Sequence, residues 1–383
     1  MITDKYYIRG QNESLILREI INKKNISRVE LSNLTGLNKA SVSSITKKLI
    51  DTKLVKEIGT GDGSITGGRK PILLAFNPKA ASSISFDIGH NYIEGLLSYL
   101  DGEEIVSITK TDFPITKTNV LSLLNKMIQS LETKEPDSPH GIVGITIAIH
   151  GLVYNNHIIF TPHYDLDQIN LAEELSQLVS YPIYIENEAN LTAIGEYTFA
   201  SNHNNLVCIS IHNGIGAGIV FNGLIQTGNN GNAGEIGHST LIPDGKLCPC
   251  GNRGCLELYT SNKSILQSIL EVKKLDDINL KVAQQLFQKD DAETKAIMEK
   301  SAYYLSIGIN NIITLYDPEV IIIQSPLYNE IPELLDIVTN HLQSQFSKKT
   351  TIQISSLNKK ATLYGALAIT VQHFLNIQQL KLL

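Results

Sequence analysis

Three cysteines and one histidine lie close together in the second half of the chain and could bind one metal ion. Successive members of this set are separated by nine, one and four residues; the set is His238, Cys248, Cys250 and Cys255. Three thiolates and one imidazole supply the soft, closed, tetrahedral coordination of a structural Zn²⁺. Unrelated buried cysteines do not normally cluster in this way, so the spacing predicts a structural zinc site. The fourth cysteine, Cys208, lies in an apolar segment and is predicted to be a core residue.

Two carboxylates flank the cysteine segment. Glu235 precedes His238 by three positions, and Glu257 follows Cys255 by two. Closing a metal site there would bring both carboxylates near the imidazole, where they could accept hydrogen bonds from sugar hydroxyls.

A second polar run, residues 186–190, reads Glu-Asn-Glu-Ala-Asn. It follows an apolar strand and begins a helix, which is where α/β folds place groups that bind ligands. Polar residues that only cap a helix would explain the position equally well.

The N-terminal segment has the pattern of a helix-turn-helix. Asn12 is predicted to cap a first helix that ends near Lys24. A second helix over residues 28–35 is expected to bury Val29, Leu31 and Leu34 and to end at Gly36, which favours a left-handed terminus. A third helix from Asn38 is expected to turn Val42, Ile45 and Leu49 inward.

The outer face of the third helix is polar and carries no acidic residue from position 38 to 50. Two short strands, residues 54–58 and 71–76, flank a glycine-rich loop that predicts a β-wing. A winged helix of this kind would bind DNA through the major groove and the backbone. A three-helix scaffold with a hairpin is the alternative. The predicted DNA-contacting residues are Lys39, Ser41, Ser43, Ser44, Lys47, Lys48, Arg69 and Lys70.

The net charge changes sign after the N-terminal segment. Residues 1–72 hold thirteen basic and seven acidic residues, a net charge of +6, whereas the remainder of the 383 residues carries −12. A basic module joined to an acidic body is typical of a DNA-binding domain attached to a small-molecule domain, although a solvated basic surface would have the same balance.

The body alternates strands with helices from about residue 80, which predicts an α/β fold. We therefore divide the chain into a DNA-binding domain, residues 1–76, and a ligand-binding domain, residues 77–383. The apolar stretches are far shorter than the roughly 20 residues that span a bilayer. The first thirty residues have no pattern of a signal peptide, so a cytoplasmic protein is expected.

Several of these segments together resemble the ROK family, which contains sugar-responsive repressors and sugar kinases. The resemblance covers nearly the whole chain, and its most specific parts are residues 234–238, 254–257 and 186–190, with further matches at 67–71 and at Tyr364 and Gly365. It implies an actin-like fold of two lobes with a sugar in the cleft.

The resemblance also implies roles for individual residues. Gly151 would line the cleft, and His238 would bind zinc through one ring nitrogen and present the other to a sugar hydroxyl. The implied sugar contacts are Asn187, Glu188, Glu235, His238 and Glu257.

The sequence favours a repressor over a kinase. ROK kinases have an aspartate general base where this chain has Glu188, and a displacement of about 1 Å can cost roughly 100-fold in rate. Residues 87–91, 212–218 and 324–326 also depart from the glycine and hydroxyl pattern expected for nucleotide binding. We therefore predict a non-enzymatic repressor that is released from operator DNA by a sugar.

Within the family, the repressor pattern resembles the xylose repressors most, and we expect xylose as the effector and a homodimer or dimer of dimers. One alternative is a ROK kinase that phosphorylates a hexose or related sugar. Another is a DNA-binding protein whose body dimerises and binds no ligand.

Overall fold

The computed structural model describes residues 10–61, 70–162 and 164–383. The predicted DNA contact Arg69 and most of the glycine-rich loop lie outside these residues. In the part of the chain that is described, no helix combines the length and apolarity needed to cross a membrane.

Three helices and a small antiparallel sheet form the N-terminal module, and the strand order is β1-β3-β2. Its elements are α1 (Gln11–Lys23), β1 (Ile26–Ser27), α2 (Arg28–Thr35), α3 (Lys39–Asp51), β2 (Val55–Thr60) and β3 (Ile72–Phe76). The sequence predicted these three helices and the two strands β2 and β3, and it did not predict β1.

Local side chains explain where these helices begin and end. Ser27 and Glu30 form a reciprocal capping box at the start of α2, and Gly36 ends that helix with a left-handed φ of 70°. The Asn38 side chain accepts from the backbone N–H of Ser41 and so caps α3. The prediction that Asn12 caps α1 was wrong, because that helix begins at Gln11 after Gly10.

Two predictions about the inward faces were also wrong. Val29 and Leu34 are 51% and 54% exposed, because the inward stripe of the two-turn helix α2 passes through the buried Leu31 instead. In α3 the buried position between Val42 and Leu49 belongs to Thr46 rather than Ile45. The Arg28 Nε donates to the Thr46 hydroxyl at 3.1 Å, so this polar side chain is buried with a partner.

The first part of the body contributes one five-stranded sheet with the order β10-β7-β4-β5-β6. All eight residues of its strand β7 are buried, as a continuous apolar run predicts. The elements of this part are β4 (Ser82–Ile88), β5 (Tyr92–Tyr99), β6 (Glu104–Thr111), α4 (Val120–Glu132), β7 (Ile142–Ile149), β8 (Leu152–Tyr154), β9 (His157–Phe160), α5 (Leu171–Ser176) and β10 (Ile183–Asn187).

The second part contributes another five-stranded sheet, with the order β13-β12-β11-β14-β15. Strand β11 pairs antiparallel with β12 and parallel with β14. The elements are α6 (Glu188–Phe199), β11 (Leu206–Ile211), β12 (Ile215–Phe221), β13 (Leu224–Ile225), α7 (Glu257–Thr260), α8 (Asn262–Lys273), α9 (Leu280–Gln288), α10 (Ala292–Tyr316), β14 (Val320–Gln324), α11 (Pro326–Glu330), α12 (Glu333–Asn340), β15 (Thr351–Ile354) and α13 (Ala361–Leu375).

The two large sheets have the same topology. If the strands of each sheet are numbered along the chain, both sheets read 3-2-1-4-5 from one edge to the other. This duplicated α/β order agrees with the expected two-lobed, actin-like body, although no internal repeat is evident in the sequence.

The chain divides into two compact units. The first contains the N-terminal module and consists of Met1–Ile147, Asn170–Ile185 and Ala366–Leu383. The second consists of Ala148–Ile169 and Glu186–Gly365. All the predicted sugar and metal residues belong to the second unit, whose core lies between the sheet around β11 and the long helix α10.

Candidate functional site

The four predicted metal ligands converge. One ligand atom each from His238, Cys248, Cys250 and Cys255 lies within 4.8 Å of all the others. The Sγ atoms of Cys250 and Cys255 are 3.7 Å apart, and the Cys248 Sγ is 3.5 Å from the His238 Nδ1. Tetrahedral zinc with ordinary bond lengths requires about 3.8 Å between sulfurs and about 3.6 Å between sulfur and nitrogen. The donor set and its spacing therefore fit a metal ion of this size.

Tight turns bring the ligands together. His238 ends a short 3-10 helix, and Cys255 pairs with Thr240 in an isolated antiparallel bridge. Gly254, before Cys255, has a left-handed φ of 74°, and a Cβ at this position would lie 1.6 Å from the carbonyl oxygen of Ile242. Only glycine permits this close approach.

Both predicted carboxylates face the imidazole. The Glu257 Oε1 is 3.6 Å from the His238 Nδ1, and the Glu235 Oε2 is 3.8 Å from the Nε2. The Nδ1 is thus the nitrogen that faces the thiols, and the Nε2 lies on the side of Glu235. Burial raises the pKa of Glu235, and the charge of His238 opposes this rise.

Asn187 connects two segments of the second unit. Its Nδ2 donates to the carbonyl oxygen of Gly151 at 2.8 Å, and its Oδ1 accepts from the backbone N–H of Asn190. The polar run therefore does cap α6, which is the alternative that the sequence left open. Burial raises the pKa of Glu186, whose Oε1 accepts from the backbone N–H of Asn187 and from the Asn190 side chain.

Glu188 is buried, and one of its oxygens is surrounded by hydroxyl donors. The Oε1 accepts from Thr192 at 2.8 Å, from Ser210 at 2.9 Å and from Thr362 at 3.1 Å. Hydroxyl groups of this kind compensate a carboxylate for the loss of water.

Two histidines that sequence reasoning missed lie on either side of the same carboxylate. The His150 Nδ1 is 3.9 Å from the Glu188 Oε2, and the His212 Nε2 is 3.8 Å from the Oε1. The two imidazole rings meet edge to face with centroids 5.5 Å apart. Each histidine directly follows a buried strand. Because α/β folds place ligand-binding groups after the ends of strands, this position could have indicated both histidines from the sequence.

The predicted sugar residues therefore form two groups. Gly151, Asn187 and Glu188 belong to one, and Glu235, His238 and Glu257 to the other. Among the described residues, no hydrogen bond or ion pair joins the two groups.

The predicted DNA-contacting face of α3 is accessible. Lys39, Ser43, Ser44 and Lys47 are exposed, and Ser41 is half-buried beside the helix start. Lys48 is exposed too, but its Nζ forms a 2.7 Å ion pair with Glu13 of α1. This contact orients α3 against α1 and leaves Lys48 less available to DNA than the other lysines. Lys70 is exposed at the start of the described wing.

Known proteins share this architecture. The profile of the ROK family matches residues 83–373. The chain belongs to the ROK family. A xylose repressor from Bacillus spizizenii is 37% identical over 387 residues, which cover 98% of this chain and 99% of that repressor.

Two solved ROK structures cover different shares of this chain. A ROK family transcriptional regulator, a homologue of the Escherichia coli MLC protein, has a TM-score of 0.81 at 27% identity and covers 96% of this chain and 98% of its own. A ROK family glucokinase from Streptomyces griseus has a TM-score of 0.67 at 23% identity and covers 75% of this chain and 98% of its own. The glucokinase shares the fold, whereas the regulator matches nearly the whole chain.

Replacing Glu188 by alanine should destabilise the protein, because three buried hydroxyls would lose their shared acceptor. We expect a loss of about 2 kcal/mol or more in the free energy of unfolding, and a smaller loss for Glu188→Gln, which keeps an amide oxygen. Urea titration followed by circular dichroism measures both. Glu299→Ala, on the exposed face of α10, is the control. Equal stability of Glu188→Ala and the control would contradict the role of the hydroxyl network.

Proposed function

We propose that this ROK protein is a sugar-responsive transcriptional repressor that binds operator DNA and is released when a sugar, xylose by preference, binds its body. The observation that carries the proposal is the combination in one chain of a ROK body with an exposed helix α3 that has no acidic residue from position 38 to 50. The near full-length similarity to a xylose repressor and to a ROK transcriptional regulator supports it. A protein of this kind acts in the cytoplasm.

Residues 1–76 would bind DNA. The outer face of α3 offers hydroxyl and ammonium donors to the major groove, from Lys39, Ser41, Ser43, Ser44, Lys47 and Lys48. Arg69 and Lys70 of the wing would contact phosphates or the minor groove. Two-fold symmetric operators are read by dimers, so we propose a homodimer or a dimer of dimers as the DNA-bound form.

Residues 77–383 would bind the sugar. Carboxylates and imidazoles are strong partners for hydroxyl groups, and Glu235, His238 and Glu257 present such groups beside the cysteine loop. Gly151, Asn187 and Glu188 complete the proposed set. Xylose is favoured because the repressors similar to this chain are named for it.

Zinc is the metal that we propose for the cysteine loop, with residues 238–255 as its binding segment. Three thiolates and one imidazole favour zinc over harder cations, and the closed set predicts a structural role. When bound, zinc would fix the imidazole of His238 so that its Nε2 side, beside Glu235, faces the ligand.

The kinase alternative is less favoured, and two observations weigh against it. One carboxylate oxygen of Glu188 accepts from three hydroxyl donors, and residues 87–91, 212–218 and 324–326 depart from the glycine and hydroxyl pattern expected for nucleotide binding. A coupled assay with ATP and Mg²⁺ over a panel of sugars would restore this alternative if turnover reached about 1 to 100 per second.

The first test is fluorescence anisotropy of a labelled duplex from upstream of the gene that encodes this chain, at fixed salt. D-xylose should weaken binding and D-glucose should not. Lys47→Ala should lower affinity and reduce the salt slope by about 1, because one phosphate contact is lost. Lys126→Ala, exposed on α4, is the matched control. Binding that no sugar alters, together with no thermal shift in sugar, would favour a ligand-free body instead.

Metal content provides an independent test of the site. The purified chain should carry about one zinc per chain by elemental analysis. Cys250→Ser leaves only three of the four metal ligands. We therefore expect this variant to lose the metal and, with it, the response of DNA binding to xylose. Cys208→Ala removes a buried cysteine outside the cluster and should keep both. A metal-free Cys250→Ser protein that still releases DNA with xylose would refute the link between metal and sugar.

A further inference from the structure

The last turn of α3 is held by a histidine of the body. The His140 Nε2 lies 2.7 Å from the carbonyl oxygen of Thr52, the residue that ends α3. Because a carbonyl oxygen only accepts, this nitrogen carries the proton and donates. A donor at this position satisfies one of the free carbonyls at the helix C-terminus and is favoured by the helix dipole.

His140 itself is fixed by the body on two sides. Its backbone N–H donates to the carbonyl oxygen of Ala80 at 2.9 Å, just before β4. Its ring meets the ring of Phe374, on the last turn of α13, edge to face at 5.4 Å. One side chain therefore contacts both the end of the DNA-facing helix and the end of the last helix of the body.

Strand β7 and helix α13 run side by side up to this contact. A Cβ on Gly144 of β7 would lie 2.9 Å from the Thr370 side chain, so strand and helix approach closely there. The hydroxyls of Thr146 and Thr370 are hydrogen-bonded at 2.8 Å. Residue numbers rise along the strand as they fall along the helix, so the two elements are antiparallel in this region.

Both elements also have residues in the second unit. Strand β7 leads directly into His150 and Gly151, and the Gly151 carbonyl accepts from Asn187. The first turns of α13 cross α6 so closely that a Cβ on Gly365 would lie 1.8 Å from the carbonyl oxygen of Leu191. The Thr362 hydroxyl, on the same turns, donates to Glu188.

We propose that His140 is the positioning residue through which β7 and α13 set the orientation of α3 in response to sugar. A shift of either element at Asn187 or Glu188 would reach His140 along a continuous strand or helix. It would then act on the Thr52 carbonyl, because packed elements move as units. The inference rests on the proposed repressor function and names the residue that transmits its response.

The test compares operator affinity with and without D-xylose for the full-length wild type, His140→Ala, His140→Gln and a control, His157→Ala, in which an exposed histidine of β9 is removed. In the wild type we expect xylose to raise the operator Kd by about tenfold or more. In His140→Ala the rise should fall below about threefold, while the Kd for xylose, measured by calorimetry, stays within about twofold of the wild type.

Rescue separates positioning from simple destabilisation. His140→Gln keeps an N–H that can reach the Thr52 carbonyl and should restore most of the response. Phe374→Leu removes the ring contact at similar volume, and it should reduce the response even if His140→Ala fails to fold. The His157→Ala control should respond as the wild type does.

One outcome would overturn the inference alone: xylose raises the operator Kd of His140→Ala by the same factor as that of the wild type, whether or not the affinity without sugar has changed. His140 would then be a structural residue only. A wild-type chain that binds neither the duplex nor xylose would instead overturn the proposed function, and the inference with it.

Discussion

A buried carboxylate must be surrounded by hydrogen-bond donors, and in this chain that requirement falls on Glu188. Its donors come from three elements: Thr192 on α6, Ser210 on β11 and Thr362 at the start of α13. The Oε1 atom of Glu188 therefore links α6, β11 and α13 through hydrogen bonds. This fixes the first turn of α6, and with it the Asn187 amide that reaches the Gly151 carbonyl.

The cysteine loop is ordered by a different principle. Between β13 and α7, residues 226–256 contain one 3-10 helix and two isolated bridges but no α-helix or paired strand. The backbone hydrogen bonds of turns and bridges hold this segment, such as those from Leu241 and Ile242 to the Gly254 carbonyl, and a metal ion bound by the four ligands would cross-link it further. His238 is both a member of this cluster and the neighbour of Glu235 and Glu257.

The ROK fold occurs both in a transcriptional regulator and in a glucokinase. The body keeps two sheets of the same 3-2-1-4-5 order, while the carboxylate at the start of α6 is drawn into a hydroxyl network. A site that binds a sugar without reacting with it can devote its binding energy to a conformational change. In the first unit, the contact of His140 with the end of α3 lies where such a change would affect DNA binding.

The sequence by itself determined what depends on neighbours along the chain. The caps at Ser27, Gly36 and Asn38 involve residues at most four positions apart, and the cysteine spacing already defined the metal set. The apolar run Ile142–Ile149 likewise indicates a buried strand without reference to any partner, and it is the strand β7.

Tertiary structure alone decided what depends on distant partners. Glu188 is bonded to residues 22 and 174 positions away, so no local pattern could distinguish a buried network from a catalytic base. The same holds for His140, whose partner Thr52 lies 88 positions away. Edge strands such as β6 are largely exposed and carry little apolar signal, so the sequence gives little indication of them. Helix caps and apolar periodicity depend on residues close together in the sequence. The hydrogen bonds of Glu188 and His140 join distant residues and form only when the chain has folded.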